Sequence, residues 1–287
     1  MRVNGLKLLR ETLGDKAIGY KNNGGYELFF KNKEASYNTC LEKLNTISTF
    51  LYPVFNIEVF SEVDNKFGFK NIQPKLIFNK AEAQLDTGKM MQSLMQKACS
   101  AAILILNNST ITGFEDVKNS VKILLDQMEF TTKKLFIATN GFASQLGIAQ
   151  VKPARNQVLV TKLIENLKIK GTFHLDEGYT YFRNIDNRIL LGGGRNLDLS
   201  GEQTAVFGTT SQIQNYLENM LSETILPTIP FEIEHRWSGI LGVGNQKKPI
   251  IKELSNNVYC GVRLGGMGIA MGSLVGQELA KLLDSQG

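Results

Sequence analysis

The segment from Asn257 to Gly272, NVYCGVRLGGMGIAMG, most constrains how this chain can fold. Its first residues predict a strand ending at Val262, and glycines at positions 265, 266, 268 and 272 accompany the start of a helix. The spacing approaches a dinucleotide-binding fingerprint, but that fingerprint needs a βαβ unit of about 30 residues and an acidic residue roughly 20 positions later. The chain ends at Gly287, too soon for a second strand. A complete dinucleotide-binding unit at this end is therefore excluded.

Two interpretations of these glycines are open on spacing alone. Positions without side chains leave room beside the backbone for a flat, bulky ligand, and the helix that follows would direct the positive end of its dipole at that ligand. Alternatively, the glycines allow the helix to pack closely against a strand.

The composition is that of a globular protein, with 43% hydrophobic and 21% charged residues in a chain of 287. This is enough for one large domain or two interleaved ones. The net charge of +5 arises from 32 basic and 27 acidic residues, and the lysines are scattered rather than clustered as in a nucleic-acid-binding surface. The longest purely apolar run, Ala101–Leu106, is far shorter than the ~20 residues of a membrane span.

The cysteines and histidines do not indicate a disulfide or a metal site. Cys40, Cys99 and Cys260 lack CxxC spacing and are interpreted as small buried hydrophobes in a reducing compartment. The histidines, His174 and His235, have no partner at metal-ligand spacing. The first residues mix charged and apolar positions, unlike a signal peptide. We therefore expect a soluble, cytoplasmic protein without a metal.

The first 150 residues predict helices mixed with strands. Residues 6–13 and 40–51 have helical spacing, residues 20–30 resemble a hairpin turning at Asn22–Gly25, and the stretch around Pro53 and Pro74 is loop-rich. Thr87 can cap a helix whose apolar face consists of Met91, Leu94, Met95 and Ala98. The sequence then predicts a buried parallel strand at 102–106, two alternating strands at 111–117 and 121–125, and a buried strand at 134–141 that ends in a turn.

Residues 151–240 predict mainly antiparallel strands, interrupted by one helix around 213–221. The predicted fold class is thus α/β with α+β character, in which a parallel-sheet domain is interleaved with an antiparallel-sheet domain. We expect segments 1–80 and 151–240 to form the antiparallel domain, and segments 81–150 and 241–287 to form parts of the parallel-sheet domain.

Three blocks occur in the order found in the glycine/D-amino-acid oxidase family. LFIATNGFAS (135–144) is similar to the family's ATG stretch beside the cofactor, and HRWSGILGVGNQKKPII (235–251) to its Trp-x-Gly block. The terminal strand, glycine loop and helix are similar to the segment that lies against the flavin ring in that family. The chain resembles the family over roughly residues 5–283. The resemblance implies an incomplete FAD-binding domain, an antiparallel substrate domain, and oxidation of a small amine or amino acid by hydride transfer to FAD.

The resemblance also implies which residues bind cofactor and substrate. The implied FAD-binding residues are Ile111, Thr139, Asn140, Gly141, Arg263, Leu264, Gly265, Gly266, Met267, Gly268 and Ile269. For a small-molecule substrate, Tyr181 and Arg183 alternate with Tyr179 along one strand face, and Arg236 lies beside Trp237. An ordinary solvent-exposed strand face is the alternative interpretation. No catalytic side chain is assigned, because hydride transfer to a flavin needs no catalytic triad.

Two departures from the family pattern limit what the resemblance implies. The sequence contains no GxGxxG motif after a first strand, so we expect an N-terminally truncated chain. Leu241 occupies the position at which amino-acid oxidases of the family place a carboxylate-binding arginine. The alternatives are a truncated, non-catalytic relict or binding module without flavin, and a flavin dehydrogenase acting on a hydroxy acid.

Overall fold

The structure, a computed structural model, describes residues 1–284. Its α-helices are α1 (Arg2–Leu13), α2 (Glu34–Phe55), α3 (Thr87–Ser100), α4 (Ser211–Asn219) and α5 (Gly268–Asp284). Its strands are β1 (Gly25–Glu27), β2 (Phe60–Asp64), β3 (Lys75–Asn79), β4 (Ile111–Val117), β5 (Ser120–Leu125), β6 (Glu129–Thr132), β7 (Leu135–Ile137), β8 (Lys152–Thr161), β9 (Thr172–Leu175), β10 (Thr180–Ile185), β11 (Arg188–Gly193), β12 (Ile233–Val243), β13 (Ile250–Ser255) and β14 (Val258–Val262).

A large sheet of eight strands has the order β12-β8-β11-β10-β9-β1-β3-β2. The short strand β1 pairs antiparallel with β3 and parallel with β9, so the predicted hairpin over residues 20–30 is wrong. The glycines before β1 serve close packing instead, because a Cβ on Gly24 would lie 2.1 Å from the ring of Phe78.

One face of the large sheet carries its apolar core. Phe173 and Phe182 stack on neighbouring strands with ring centroids 4.5 Å apart. They pack in one cluster with Ile213 and Leu217 of α4, which continues as a π-helical turn over Met220–Ile225. Along β9 and β10 the core side chains alternate with half-buried ones, so the opposite face of the sheet is partly accessible there.

Two smaller sheets, β13-β14-β7 and β4-β5-β6, share a second apolar cluster. β14 is buried along its whole length and pairs parallel with β7. α5 packs on β14, where a Cβ on Gly261 would lie 2.4 Å from Leu279. α1 in turn packs against α5 through Gly5, which approaches the carbonyl oxygen of Ala270.

The buried parallel strand predicted at residues 102–106 is wrong. These residues form no strand and are largely exposed, with Leu104 82% and Ile103 58% accessible. A parallel strand needs hydrogen-bonding neighbours, and none of the described residues pairs with this segment. Apolar sequence alone does not show whether such neighbours are present.

Further details of the first 100 residues also differ from prediction. Asp86, not Thr87, caps α3 by accepting a hydrogen bond from Lys89 N at 3.0 Å. Met90 is the buried residue of that helix, whereas Met91 and Met95 are exposed. Pro53 lies inside α2, and the supposed loop beyond it contains β2 and β3.

The predicted fold class is confirmed. The helix ending at Gly14, the strands at 111–117 and 120–125, the mainly antiparallel region after residue 151 and the terminal strand, loop and helix are all present. Strands of the first and third predicted segments join in the large sheet. In residues 1–284, none of the helices combines the length and apolarity that crossing a bilayer requires.

Candidate functional site

The turn after β7 is fixed between β12 and the terminal loop. Asn140 has a left-handed backbone, with φ 45°, and its Oδ1 accepts a hydrogen bond from Leu264 N at 2.9 Å. A Cβ on Gly141 would lie 2.8 Å from the carbonyl oxygen of Ile240, so only glycine fits there without movement. This hydrogen bond joins two sequence blocks whose bonded residues, Asn140 and Leu264, are 124 positions apart in the chain.

The terminal loop presents open backbone before α5. Gly265 N donates to Gly242 O at 3.0 Å, which holds the loop to the end of β12. Gly265 has φ 57°, a conformation that glycine adopts without strain. Apart from the adjacent residues in the chain, no atom of residues 1–284 lies within 4 Å of a Cβ built on Gly265 or Gly266, in contrast to the tightly packed Gly261. Gly265 and Gly266 are thus not required by close packing, so the space beside them is open to a ligand.

α5 begins at Gly268, directly after this open stretch. The first backbone N–H groups of a helix lack partners within the helix, and together they carry a partial positive charge. Arg263 is close in sequence, and its Nε donates to Lys248 O at 2.8 Å. The loop therefore combines free space with an electropositive backbone.

A row of residues crosses the half-buried face of the large sheet. Strand pairing places Glu27 beside His174 and His174 beside Tyr181, and the row then continues through Gly192 and Val158 to Trp237. Residues paired across neighbouring strands point to the same face. We call this set of six residues the transverse row.

Tyr181 is held from two sides. Its hydroxyl accepts a hydrogen bond from Asn156 Nδ2 at 2.8 Å, and a Cβ on Gly192 would lie 2.6 Å from that hydroxyl. Burial raises the pKa of Tyr181 to about 12, so its hydroxyl stays protonated at neutral pH. Asn156 pairs with Gly239 of the Trp-x-Gly block, and a Cβ on that glycine would meet nothing within 4 Å.

Arg183 shares a face with Tyr181, as their alternation along β10 predicts. Its Nη1 donates to Leu85 O at 2.5 Å. Burial lowers the pKa of this guanidinium from its usual value, although the group stays charged. Among the described residues Arg183 forms no ion pair. Tyr179 precedes β10 and is not part of the strand.

A Glu82–His174 pair on the same face was missed by the sequence analysis. His174 Nε2 and Glu82 Oε1 are 2.7 Å apart, and Thr172 Oγ1 donates to the same carboxylate at 2.6 Å. Burial acts to lower the pKa of His174, but the bond to Glu82 outweighs it and the pKa is raised. Burial acts to raise the pKa of Glu82, but the hydrogen bonds to its carboxylate outweigh burial and the pKa is lowered. No sequence pattern links positions 82 and 174, since the fold alone brings them together.

The remaining predicted residues lie elsewhere. Arg236 projects from the opposite face of the sheet, where it bonds Gln214 at 2.8 Å and Glu218 at 2.7 Å, so the structure does not bring it together with Tyr181 and Arg183. Ile111 begins β4 and packs on the second apolar cluster. Thr139 is exposed at the start of the 140–146 turn.

Solved structures with a similar fold include two oxidases and a dehydrogenase. Glycine oxidase from Geobacillus kaustophilus superposes with a TM-score of 0.77 at 17% identity, covering 97% of this chain and 75% of that one. L-proline dehydrogenase from P. horikoshii superposes with a TM-score of 0.73 at 16% sequence identity, covering 99% of this chain and 79% of that one. L-alpha-glycerophosphate oxidase from Mycoplasma pneumoniae, solved with FAD bound, superposes with a TM-score of 0.76 at 12% sequence identity, covering 99% of this chain and 79% of that one. At these identities the likeness shows the fold.

The family follows from the sequence match. The model of the FAD dependent oxidoreductase family, DAO, matches residues 2–282, and the chain belongs to this family. No curated relative matches the chain.

The described residues fit the ring portion of a flavin. The open backbone at Gly265 and Gly266 offers a surface that a Cβ would fill, and the start of α5 lies directly beyond it. They offer less for the phosphates, because a pyrophosphate is ordinarily bound by a glycine-rich turn between a parallel strand and a helix. The sequence contains no GxGxxG.

Proposed function

We propose that this protein oxidises a small amine or amino acid, with FAD as hydride acceptor. The observation that carries the proposal is the open glycine backbone at 265–266, bound to the Asn140 turn and to the end of the strand that carries Gly239. FAD, when bound, supplies the redox chemistry of the reaction. The protein's part is to position the substrate and to stabilise charge.

Each proposed role follows from local structure. The backbone from Arg263 to Ile269 would contact the flavin ring, and the start of α5 would stabilise negative charge that develops there on reduction. Thr139, Asn140 and Gly141 would line its edge. Tyr181 would donate a hydrogen bond to the substrate, since its hydroxyl accepts from Asn156 and keeps its own proton available.

We also propose that a further polypeptide unit completes the FAD site at the phosphates, as expected for a truncated chain. Two exposed features support this. β7 is one of the two edge strands of its sheet, and none of the described residues pairs with its outer side. The apolar segment 102–106 is exposed, although such segments are normally covered in parallel sheets. We also propose that the protein is located in the cytoplasm.

The 287-residue chain purified alone is therefore expected to retain far less than one FAD per molecule. The ring contacts are present, but the phosphate contacts are not supplied by a glycine-rich turn. Visible absorbance after gel filtration, followed by release of flavin on denaturation, measures the occupancy. Stoichiometric FAD would contradict the proposed further unit while supporting the proposed cofactor. FAD in large excess that fails to bind at all would favour a binding module without flavin.

For the substrate we propose Arg183 as the residue that holds an anionic group. Leu241 lies in β12 opposite Ala154 and offers no charge, whereas Arg183 is a half-buried cation without an ion pair among the described residues. A charge-assisted hydrogen bond of this kind contributes about 1.5–3 kcal/mol.

Arg183→Met is expected to lower kcat/KM for an anionic substrate at least about tenfold, assayed with saturating FAD against amines, N-methylated amino acids and hydroxy acids. Arg188→Met is the matched control, because that arginine lies on the neighbouring strand and pairs with Glu234 at 2.7 Å. An unchanged kcat/KM for the best substrate in Arg183→Met, or efficient oxidation of glycine, would remove this assignment. A hydroxy acid as best substrate would favour the alternative of a hydroxy-acid dehydrogenase.

A further inference from the structure

Glu27 is a half-buried carboxylate for which the described residues supply no partner. It stands at one end of the transverse row, beside His174 and on the same face. The neighbouring Tyr26 and Leu28 point into the core on the other face. Loss of hydration raises the pKa of Glu27, the nearby charge of His174 opposes that rise, and the charge of Glu82 adds to it. Within residues 1–284 the carboxylate forms neither a hydrogen bond nor an ion pair at bonding distance. Burying such a group without a partner costs free energy.

The nearby donors are already in use. His174 Nε2 is 2.7 Å from Glu82, and Thr172 Oγ1 donates to the same carboxylate. Asn79 Nδ2 donates to the other oxygen of Glu82 at 3.3 Å. On the neighbouring strand β3, Lys75 lies on the same face but pairs with Glu62 at 3.1 Å. Arg183 lies two strands from β1, which is about 10 Å at the usual spacing.

A second acceptor on the segment above this face also lacks a donor. Gln84 is only 9% exposed, and its Oε1 is buried without a hydrogen-bond partner. It lies between Glu82 and Leu85, which bond His174 and Arg183 respectively, so this segment lies across β9 and β10. Its Nε2 donates to Asn184 O at 3.3 Å. Near β1 and the 82–85 segment this face therefore has acceptors without donors, whereas its available donors, Tyr181 and Arg183, lie on β10.

We propose that Glu27 is the carboxylate of a subsite for a cationic amino group of the substrate, with Tyr181 and Arg183 contacting the rest of the molecule. An ammonium group brings three N–H donors and one positive charge, which is what the unpartnered acceptors lack. The subsite selects substrates with a basic nitrogen separated from any anionic group, such as diamines and basic amino acids, over simple neutral amino acids. This inference rests on the proposed substrate face, but the subsite itself requires no bound flavin.

The test is calorimetric titration of the 287-residue chain, without FAD, with butylamine, 1,4-diaminobutane and butyrate. Wild type is expected to bind the two amines, and Glu27→Gln is expected to weaken that binding about tenfold or more, because the charge is lost while the shape is kept. Glu278→Gln is the matched control, since Glu278 forms an exposed pair with Lys281 on α5.

Thermal unfolding separates a binding role from a structural one. Without ligand, Glu27→Gln is expected to leave the melting temperature unchanged or to raise it, because a desolvated, unpartnered charge is removed. A fall in melting temperature together with unaltered amine binding would overturn the proposal. Wild type that binds the amines no better than butyrate would also overturn it. Because FAD is absent from these titrations, failure to retain flavin is a separate result that bears on the proposed function alone.

Discussion

Gly266→Val is expected to weaken FAD binding at least about tenfold while the fold remains intact. A Cβ at this position meets no atom within 4 Å, and Gly266 does not have a positive φ, so the protein itself accommodates valine. The added methyl groups instead occupy the space assigned to the flavin ring, and overpacking of this kind costs about 1–3 kcal/mol or more. FAD is titrated in excess, with flavin fluorescence as the readout and circular dichroism as the check on folding.

Gly276→Val is the matched control for this experiment. Gly276 lies two turns further along α5, is exposed, and also has nothing within 4 Å of a built Cβ. Gly266 lies in the turn before α5 and Gly276 within the helix, so the control carries the added cost of valine in a helix as well as the exposed valine side chain. Loss of FAD affinity in Gly266→Val alone would therefore reflect its position beside the proposed ring. Equal FAD affinity in Gly266→Val and wild type would show that the loop is a packing feature.

Glu202→Ala is expected to destabilise the fold by about 3–5 kcal/mol, the largest stability effect that we predict for a single side chain. Glu202 is 1% exposed and forms a two-pronged pair with Arg155, at 2.7 and 3.1 Å. Its Oε1 also accepts from Gln157 Nε2 at 3.0 Å. Alanine leaves the guanidinium of Arg155, whose side chain is only 13% exposed, without its partner.

Urea unfolding measures this difference, and Glu232→Ala serves as the comparison. Glu232 pairs with Lys162 at 2.6 Å, a distance as short as that in the buried pair, but both side chains are more than half exposed. Exposed pairs contribute little to stability, because solvent screens them and the flexible side chains lose entropy on pairing. If both variants lost the same stability, burial would not be the reason for the effect of Glu202.

Local patterns predicted those parts of the site that depend on short stretches of chain. The glycines of 265–268 and the alternation of Tyr181 with Arg183 follow from spacing, since a loop conformation and a strand face are set by neighbouring residues. The Glu82–His174 pair and the position of Glu27 beside it depend on β1 joining β9, which no local pattern records.

The wrong prediction at residues 102–106 has a related cause. An apolar run predicts burial only if other strands are present to cover it, and pairing is a property of the whole sheet. Likewise Asn22–Gly25 has the composition of a hairpin turn. Gly24 is needed for another reason, because a side chain there would clash with the ring of Phe78, which is distant in sequence.

The central position of β1 in the large sheet also determines when the substrate face can form. Gly25 pairs with Thr172, so the backbone hydrogen bonds on one edge of β1 cannot form until more than half of the chain has been synthesised. Contacts between residues so distant in sequence slow folding and prolong the life of partly folded states. In a nascent chain on the ribosome, Glu27 is therefore synthesised long before its neighbours on β9 and β10. The transverse row is complete only when β12 has emerged.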